Sequence, residues 1–301
     1  MKSKVYFTKN ISPESVVEIY KHLGVNLKGQ VGVKVHSGEK GNQNYLRPLF
    51  LKPIIDYVDG VVIECNTAYG GARNTTKRHK KLMDEHEWSK YFVVDIMDEE
   101  DNDVAIDIPN GTIIKKDYLG NHINRYDSIL VLTHFKGHPM GGFGGALKQL
   151  SIGFASSRGK AYIHSAGRTT DQHNLWHKLP PQNDFLGAMA DAASTVHKKF
   201  ENRIAYISLM VNMSVDCDCC AVAEDPCLKD IGILASTDPV AIDQAALDLV
   251  KASKDVGREH FLNRVNSRNG EHILDVSETL DFGSREYELI NCVSKIELLN
   301  T

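Results

Sequence analysis

A short apolar run, then a polar loop, then a helical pattern: this unit recurs along the chain and leaves few architectures open. Gln30–Val35 leads into His36-Ser37-Gly38-Glu39, and Gly60–Glu64 into the polar segment Cys65–Thr76. Ile129–Leu132 leads into Thr133, His134, Lys136 and His138, and Ile204–Met210 into Asn212 and its neighbours. Ile231–Ala235 is followed by Ser236-Thr237-Asp238-Pro239, a capping sequence for a helix from Val240 to about Lys251. Strands alternating with helices join through right-handed crossovers and build a mainly parallel sheet with helices on its faces. The expected fold is therefore α/β, one domain over 1–301, with its strand-end loops forming one cleft. No Pro/Gly/Ser linker or repeat divides it.

Around that frame, Lys4–Phe7 reads as a first strand and Ser12-Pro13-Glu14 as the start of a helix. Tyr45–Tyr57 has a helical pattern that Pro48 and Pro53 should split or kink. Lys77–Trp88 is a charged helix with a mostly solvated face, and Asp184–Phe200 a helix with a clear apolar side. Val104–Tyr118 should form a β-hairpin turning at Pro109-Asn110-Gly111, a small insertion within 98–120. The acidic run Asp98–Asp103 before it reads as a solvated loop, because it lacks the glycine of a calcium loop.

The stretch from Leu130 to Gly167 carries the densest chemistry. Five glycines (137, 141, 142, 144 and 145) follow the strand within nine residues, and Ala146–Ile152 then reads as a helix start. Ala161-Tyr162-Ile163 reads as a strand delivering His164. Glycines before a helix let backbone N–H groups approach an anion. Gly141, Gly142, Gly144, Gly145 and Lys148 are thus candidates for anion or cofactor binding, together with Asn66, Thr67 and Arg73 from the earlier loop. Arg73 and Lys136 would neutralise ligand charge. His134, His138 and His164, with Lys136, are the acid–base candidates, the histidines also being candidate metal ligands; His36 and Glu64 lie at neighbouring strand ends. Neither standard nucleotide fingerprint is present, since Gln149 follows Lys148 and the glycine spacing differs. Close packing against a neighbour would also demand such glycines.

A net charge of −4 argues against a general nucleic-acid binder, and no apolar run approaches signal-peptide or membrane-span length. A cytoplasmic protein, with a small anionic molecule as its partner and neither nucleic acid nor membrane, is the expectation. Four of the six cysteines, Cys217, Cys219, Cys220 and Cys227, fall within eleven residues. In a chain with no secretory signal such clustering points to a metal ion, an iron–sulfur cluster or redox thiols, with a redox protein as partner. Cys217 and Cys219 are the better ligands. The flanking Asp216 and Asp218 should raise thiol pKa values and so weaken a nucleophilic role.

Val33–Glu39, Glu64–Gly71, Thr133–His138 with Gly141–Lys148, Asp216–Cys219 and Asp230–Asp243 closely resemble the domain-of-unknown-function family 362 over nearly the whole chain. Many members of that family carry an added ferredoxin module and the iron–sulfur label; this chain has no such module. A fainter similarity, Gly144-Gly145-Ala146-Leu147-Lys148 followed by Gly153 and His164, points to the lactate racemase family. That resemblance implies a nickel-pincer nucleotide bound through a lysine, with histidines in hydride and proton steps, and would place Lys148 and His164 in those roles.

Overall fold

The computed structural model describes residues 2–292 and has a mixed, mostly parallel eight-stranded sheet at its centre. Its strands are β1 (Ser3–Thr8), β2 (Val31–Lys34), β3 (Gly60–Glu64), β4 (Val94–Ile96), and, further along, Ser128–His134, Ile204–Met210, Gly232–Ser236 and Tyr287–Asn291. Two short hairpins lie outside it: β5 (Asp103–Asp107) with β6 (Lys116–Gly120), and β8 (Lys136–His138) with β9 (Gly142–Gly144). The large sheet therefore continues with β7 (128–134), β10 (204–210), β11 (232–236) and β12 (287–291), in the order β12-β1-β11-β10-β7-β2-β3-β4.

The chain moves from β2 outward to β3 and β4, and from β7 outward the other way to β10. β2 and β7 are neighbours, so the order reverses between them, and the crevice at their carboxyl ends is where such sheets take ligands. β11 runs antiparallel to both β10 and β1.

Alternation along the central strands explains the layers. Ile129 and Val131 of β7 face one core, with Ile204 and Tyr206 of β10. Leu130 and Leu132 face the other, with Ala205 and Ile207. The first core is closed by α6 (Ser157–His164), α7 (Gln182–Lys199) and α8 (Pro239–Ala252), and the second by α1 (Pro13–His22) and α2 (Pro48–Tyr57). α3 (Thr76–Glu85) and α4 (Trp88–Tyr91) lead to β4; α5 (Ala146–Lys148) follows the β8–β9 hairpin; α9 (Arg258–Ser267) and α10 (His272–Thr279) follow α8. Local signals behave as their chemistry requires. Ser12 accepts the Ser15 N–H at 3.2 Å, and Asp238 accepts those of Val240 and Ala241 at 2.8 and 2.9 Å.

Several expectations are corrected. Of the split or kink expected in α2, the split does not occur: Pro48 occupies its first turn, where no N–H is needed, and Pro53 sits inside one continuous helix. Ala161–Ile163 is helix, not strand, because Ser156 caps α6 through the Gly159 N–H at 3.0 Å. Ile163 joins the core that α7 closes, while Ala161 packs with Ala68 and Leu175. Asp98 is not solvated: it is buried and accepts from the Asn66 and Ser157 N–H groups at 2.8 and 2.9 Å. Another concerns the glycines, described below.

The hairpin expected near 104–118 is present as β5–β6 and hides an unusual group. Asp117 is fully buried and neither carboxylate oxygen has a partner. Burial pushes its pKa up to about 8. The native chain thus keeps a proton that an unfolded Asp, near pKa ~3.9, gives up. The stabilisation from that proton is complete below about pH 4 and is lost as pH rises to about 8, by at most ~1.4 kcal/mol per unit. Asp117→Asn is expected to gain stability relative to the parent between pH 5 and pH 8 in urea unfolding. Parallel pH profiles would refute this.

Candidate functional site

The site grows from the carboxyl ends of β2, β3 and β7. Lys34 ends β2 and Glu64 ends β3, and both are buried. Glu64 accepts from the Ser37 N–H at 2.8 Å and the Ser37 hydroxyl at 2.9 Å, and pairs with His79 Nε2 at 2.7 Å. Lys34 Nζ and Arg73 Nη1 approach it at 3.9 and 4.0 Å. Burial opposes its charge, but Lys34, His79 and Arg73 together hold the carboxyl well below its usual range. Arg73 also bonds Glu39 through Nε at 3.2 Å. His79 escaped the sequence reading because it lies in a charged helix. Its spacing to Leu82 and Met83 was the available signal, since the three form the buried side of α3.

These groups wall a small cavity of about 30 Å³, whose lining includes Lys34, Arg73, Lys148, Gln149 and Lys160, with His36, Glu64, Thr67 and Tyr69. Such a space is small enough to admit only a water or the charged head of a small molecule. α5 passes into a wider helical turn over Gln149–Gly153, which places Lys148 and Gln149 at this wall. A Cβ on Gly153 would come within 2.7 Å of Gln149 Oε1 and 2.8 Å of Lys34 Cε, so glycine is what leaves both side chains room. Two buried donors at the cavity, Arg73 Nη2 and Gln149 Nε2, have no hydrogen-bond partner. Burial lowers the pKa of Lys34 to about 8 despite Glu64, and lowers that of Lys160 too.

A second cluster adjoins the first. The loop after β2 clamps the cysteine segment: Glu39 N–H donates to the Asp218 carbonyl at 2.7 Å, and Asn42 Nδ2 to the Cys220 carbonyl at 2.9 Å. Cys217 is fully buried, and Lys148 Nζ donates to its sulfur at 3.3 Å. Burial disfavours a thiolate there, but Cys219, Lys148 and His138 outweigh it and hold Cys217 well below the usual thiol range. At Cys217 this reverses the expectation from the flanking aspartates, whereas the Cys219 thiol is pushed well above its usual range, chiefly by its hydrogen bond with Cys217. Asp218 is neutralised by His134 Nδ1 at 2.9 Å and Lys136 Nζ at 3.0 Å, so its charge does not oppose the thiolate.

His138, Cys217 and Cys219 form a group that could hold a metal ion, with their ligand atoms within 4.8 Å of one another. His138 Nδ1 accepts the N–H groups of Met140 and Gly141 at 3.1 and 2.8 Å, so the ring proton sits on Nε2, which an ion must displace. Cys220 adjoins Cys219, whereas Cys227 Sγ turns to the Met213 carbonyl at 3.5 Å, outside the group. Cys227 therefore lies apart from the His138, Cys217 and Cys219 group.

The remaining candidates separate. Both ring nitrogens of His134 face acceptors, Asp218 and the Val211 carbonyl at 2.6 Å. His164 bonds the Lys160 carbonyl at 2.7 Å, stacks on Phe185, and is lowered by burial to about pKa 4. Asn66 donates to Thr76 Oγ1 at 3.0 Å, while Thr67 and Arg73 reach the cavity. The glycines do not form an open anion cradle. Gly142 and Gly144 belong to a hairpin, and the Ala146 and Leu147 N–H groups already bind the Asp243 carboxylate at 2.7 and 2.9 Å. Burial pushes Asp243 up to about pKa 7. A Cβ on Gly145 would lie 2.3 Å from Asp243 Oδ1, and one on Gly142 2.8 Å from Gly270 Cα. Gly141 has room beside it. Close packing is what Gly142 and Gly145 show.

Fold and site together define an α/β protein with a cation-walled cavity at a strand-order reversal and a histidine–cysteine group beside it. The chain belongs to the family described as domain of unknown function, DUF362, whose pattern matches residues 31–248. Among solved structures it is similar to the lactate racemase apoprotein from Thermoanaerobacterium thermosaccharolyticum, at 16% identity and TM-score 0.46, covering 81% of this chain and 56% of that one. It is also similar to a protein from Thermotoga maritima, at 10% identity and TM-score 0.41, covering 89% and 58%. The chain thus spans little more than half the length of either structure. No curated protein matches it. A nickel-pincer nucleotide does not fit beside Lys148: ligands of that size take roughly 300 Å³ or more, against the cavity of about 30 Å³.

Proposed function

We propose that the protein is an enzyme that draws the charged end of a small carboxylate- or phosphate-bearing molecule into the strand-end cavity. The observation that carries this reading is the pair of buried donors without partners, Arg73 Nη2 and Gln149 Nε2, on a wall shared with three lysines. Buried donors are almost always paired, so an unpaired set around one hollow calls for an acceptor. Cations crowded out of water lose affinity for their protons, as Lys34 and Lys160 do, and an anion reverses that loss. A lysine with its pKa near 8 beside the bound group is also suited to proton transfer. No helix among the described residues is long and apolar enough to cross a membrane, and all six thiols are free, which fits a reducing cytoplasm.

Formate, the smallest carboxylate, and sulfate, a phosphate stand-in, test the reading by calorimetric titration. Lys160→Met is expected to weaken the better-bound anion about tenfold or more, ~1.4 kcal/mol. Equal affinity in parent and variant would remove the cavity from consideration.

A soft metal ion on Cys217 and Cys219 with His138 is the second reading, favoured by their convergence within 4.8 Å. Two sulfurs and an imidazole suit zinc-like ions and leave a coordination position open. Metal analysis of protein purified without chelator tests it.

A further inference from the structure

We infer that a soft divalent metal ion on the cysteine pair and a small anion in the cavity bind cooperatively, with Lys148 as the side chain they share. This rests on the functional reading above and adds a coupling between its two halves. Lys148 is buried, lines the cavity, and donates from Nζ to Cys217 Sγ at 3.3 Å. An ammonium has three protons to donate. The sulfur is the acceptor it has found, and the pair cancels its own charge at the cavity wall.

A thiophilic ion bound by Cys217 and Cys219 takes the sulfur electrons that now hold Lys148. The hydrogen bond from the ammonium is weakened, and another acceptor is favoured. Asp218, the nearby carboxylate, already serves His134 and Lys136 at 2.9 and 3.0 Å. The cavity is the side left to it, where one nitrogen each of Arg73 and Gln149, Nη2 and Nε2, also lacks a partner. The ion brings positive charge beside the same wall. An anion therefore gains twice when metal arrives, and by linkage metal gains equally from the anion.

The test uses Cd²⁺ as the metal, followed by its thiolate charge-transfer absorption, and formate as the anion, followed by calorimetry. With one equivalent of Cd²⁺ bound, formate is expected to bind about fivefold tighter or better, and saturating formate to tighten Cd²⁺ by the same factor. Lys148→Met should still give the absorption band, with the mutual effect falling below about twofold on that same scale. Cys219→Ser should remove the band and with it any influence of Cd²⁺ on formate. If both probes bind the parent protein and neither alters the other, the coupling is wrong while the cavity reading stands. Absence of the Cd²⁺ band overturns the coupling as well. Failure of formate to bind with or without Cd²⁺ overturns the cavity reading and the coupling together.

Discussion

Glu64→Gln is expected to unfold more easily by about 3–5 kcal/mol and, where folded, to bind formate more tightly. The two effects have opposite signs because Glu64 does two things. Its carboxylate is the buried counter-charge for Lys34 and Arg73 and the acceptor for Ser37 and His79. An amide removes the charge and offers N–H groups where acceptors are needed. The same carboxylate lines the cavity, so it competes electrostatically with any anion entering there. Taking away one negative charge about 5 Å from the ligand should strengthen binding tenfold or more at an effective dielectric near 20. Urea unfolding and formate titration on one preparation measure both. A folded variant that binds formate more weakly would mean Glu64 shapes the cavity more than it charges it. Because its pKa is held low, the stability Glu64 supplies is present above its unfolded value, ~4.3, and is lost as pH falls further.

Asp218→Ala should be comparably damaging, about 3–5 kcal/mol, for a different reason. Asp218 is buried between His134 and Lys136, with their nitrogens at 2.9 and 3.0 Å, and these two hold its carboxyl well below the usual range against burial. Its loss strands Lys136, a fully buried ammonium. Adding Lys136→Met removes that stranded charge and should recover at least ~1.5 kcal/mol. If the two substitutions simply add in urea unfolding, the ion pair is not what holds the cysteine segment against β7.

Much of the frame was legible from hydrophobic runs alone. Gly60–Glu64 and Ile204–Met210 are strands with those bounds because each is a short apolar run closed by polar residues. Asp238-Pro239 starts α8 because capping is local chemistry. Ala161–Ile163 was misread since three apolar residues fit a strand or a buried helix face equally, and only the Ser156 cap decides. The direction of β11 depends on partners far along the chain, which no local pattern encodes.

The site divides along the same line. Lys148, Arg73 and Thr67 were named from their loops and reach the cavity. Lys34, Gln149 and Lys160 were missed, since a lysine inside an apolar pattern reads as a snorkelling surface residue until the fold encloses it. The glycines misled because the N–H groups that follow them are taken by the chain's own carboxyl group, on Asp243 of α8, 97 residues from Ala146.

The pairing of β1 bears on how the molecule is made. Ser3–Thr8 binds Gly232–Ser236 on one side and Tyr287–Asn291 on the other, with Ser3 opposite Tyr287. During synthesis the first strand therefore waits, unpartnered, until more than two hundred residues have followed it. At roughly 5–20 residues per second that wait lasts tens of seconds, during which Val5 and Phe7 have no native cover. Assembly of this sheet must begin at β2, β3 and β7, beside the cavity, and close at its far margin last.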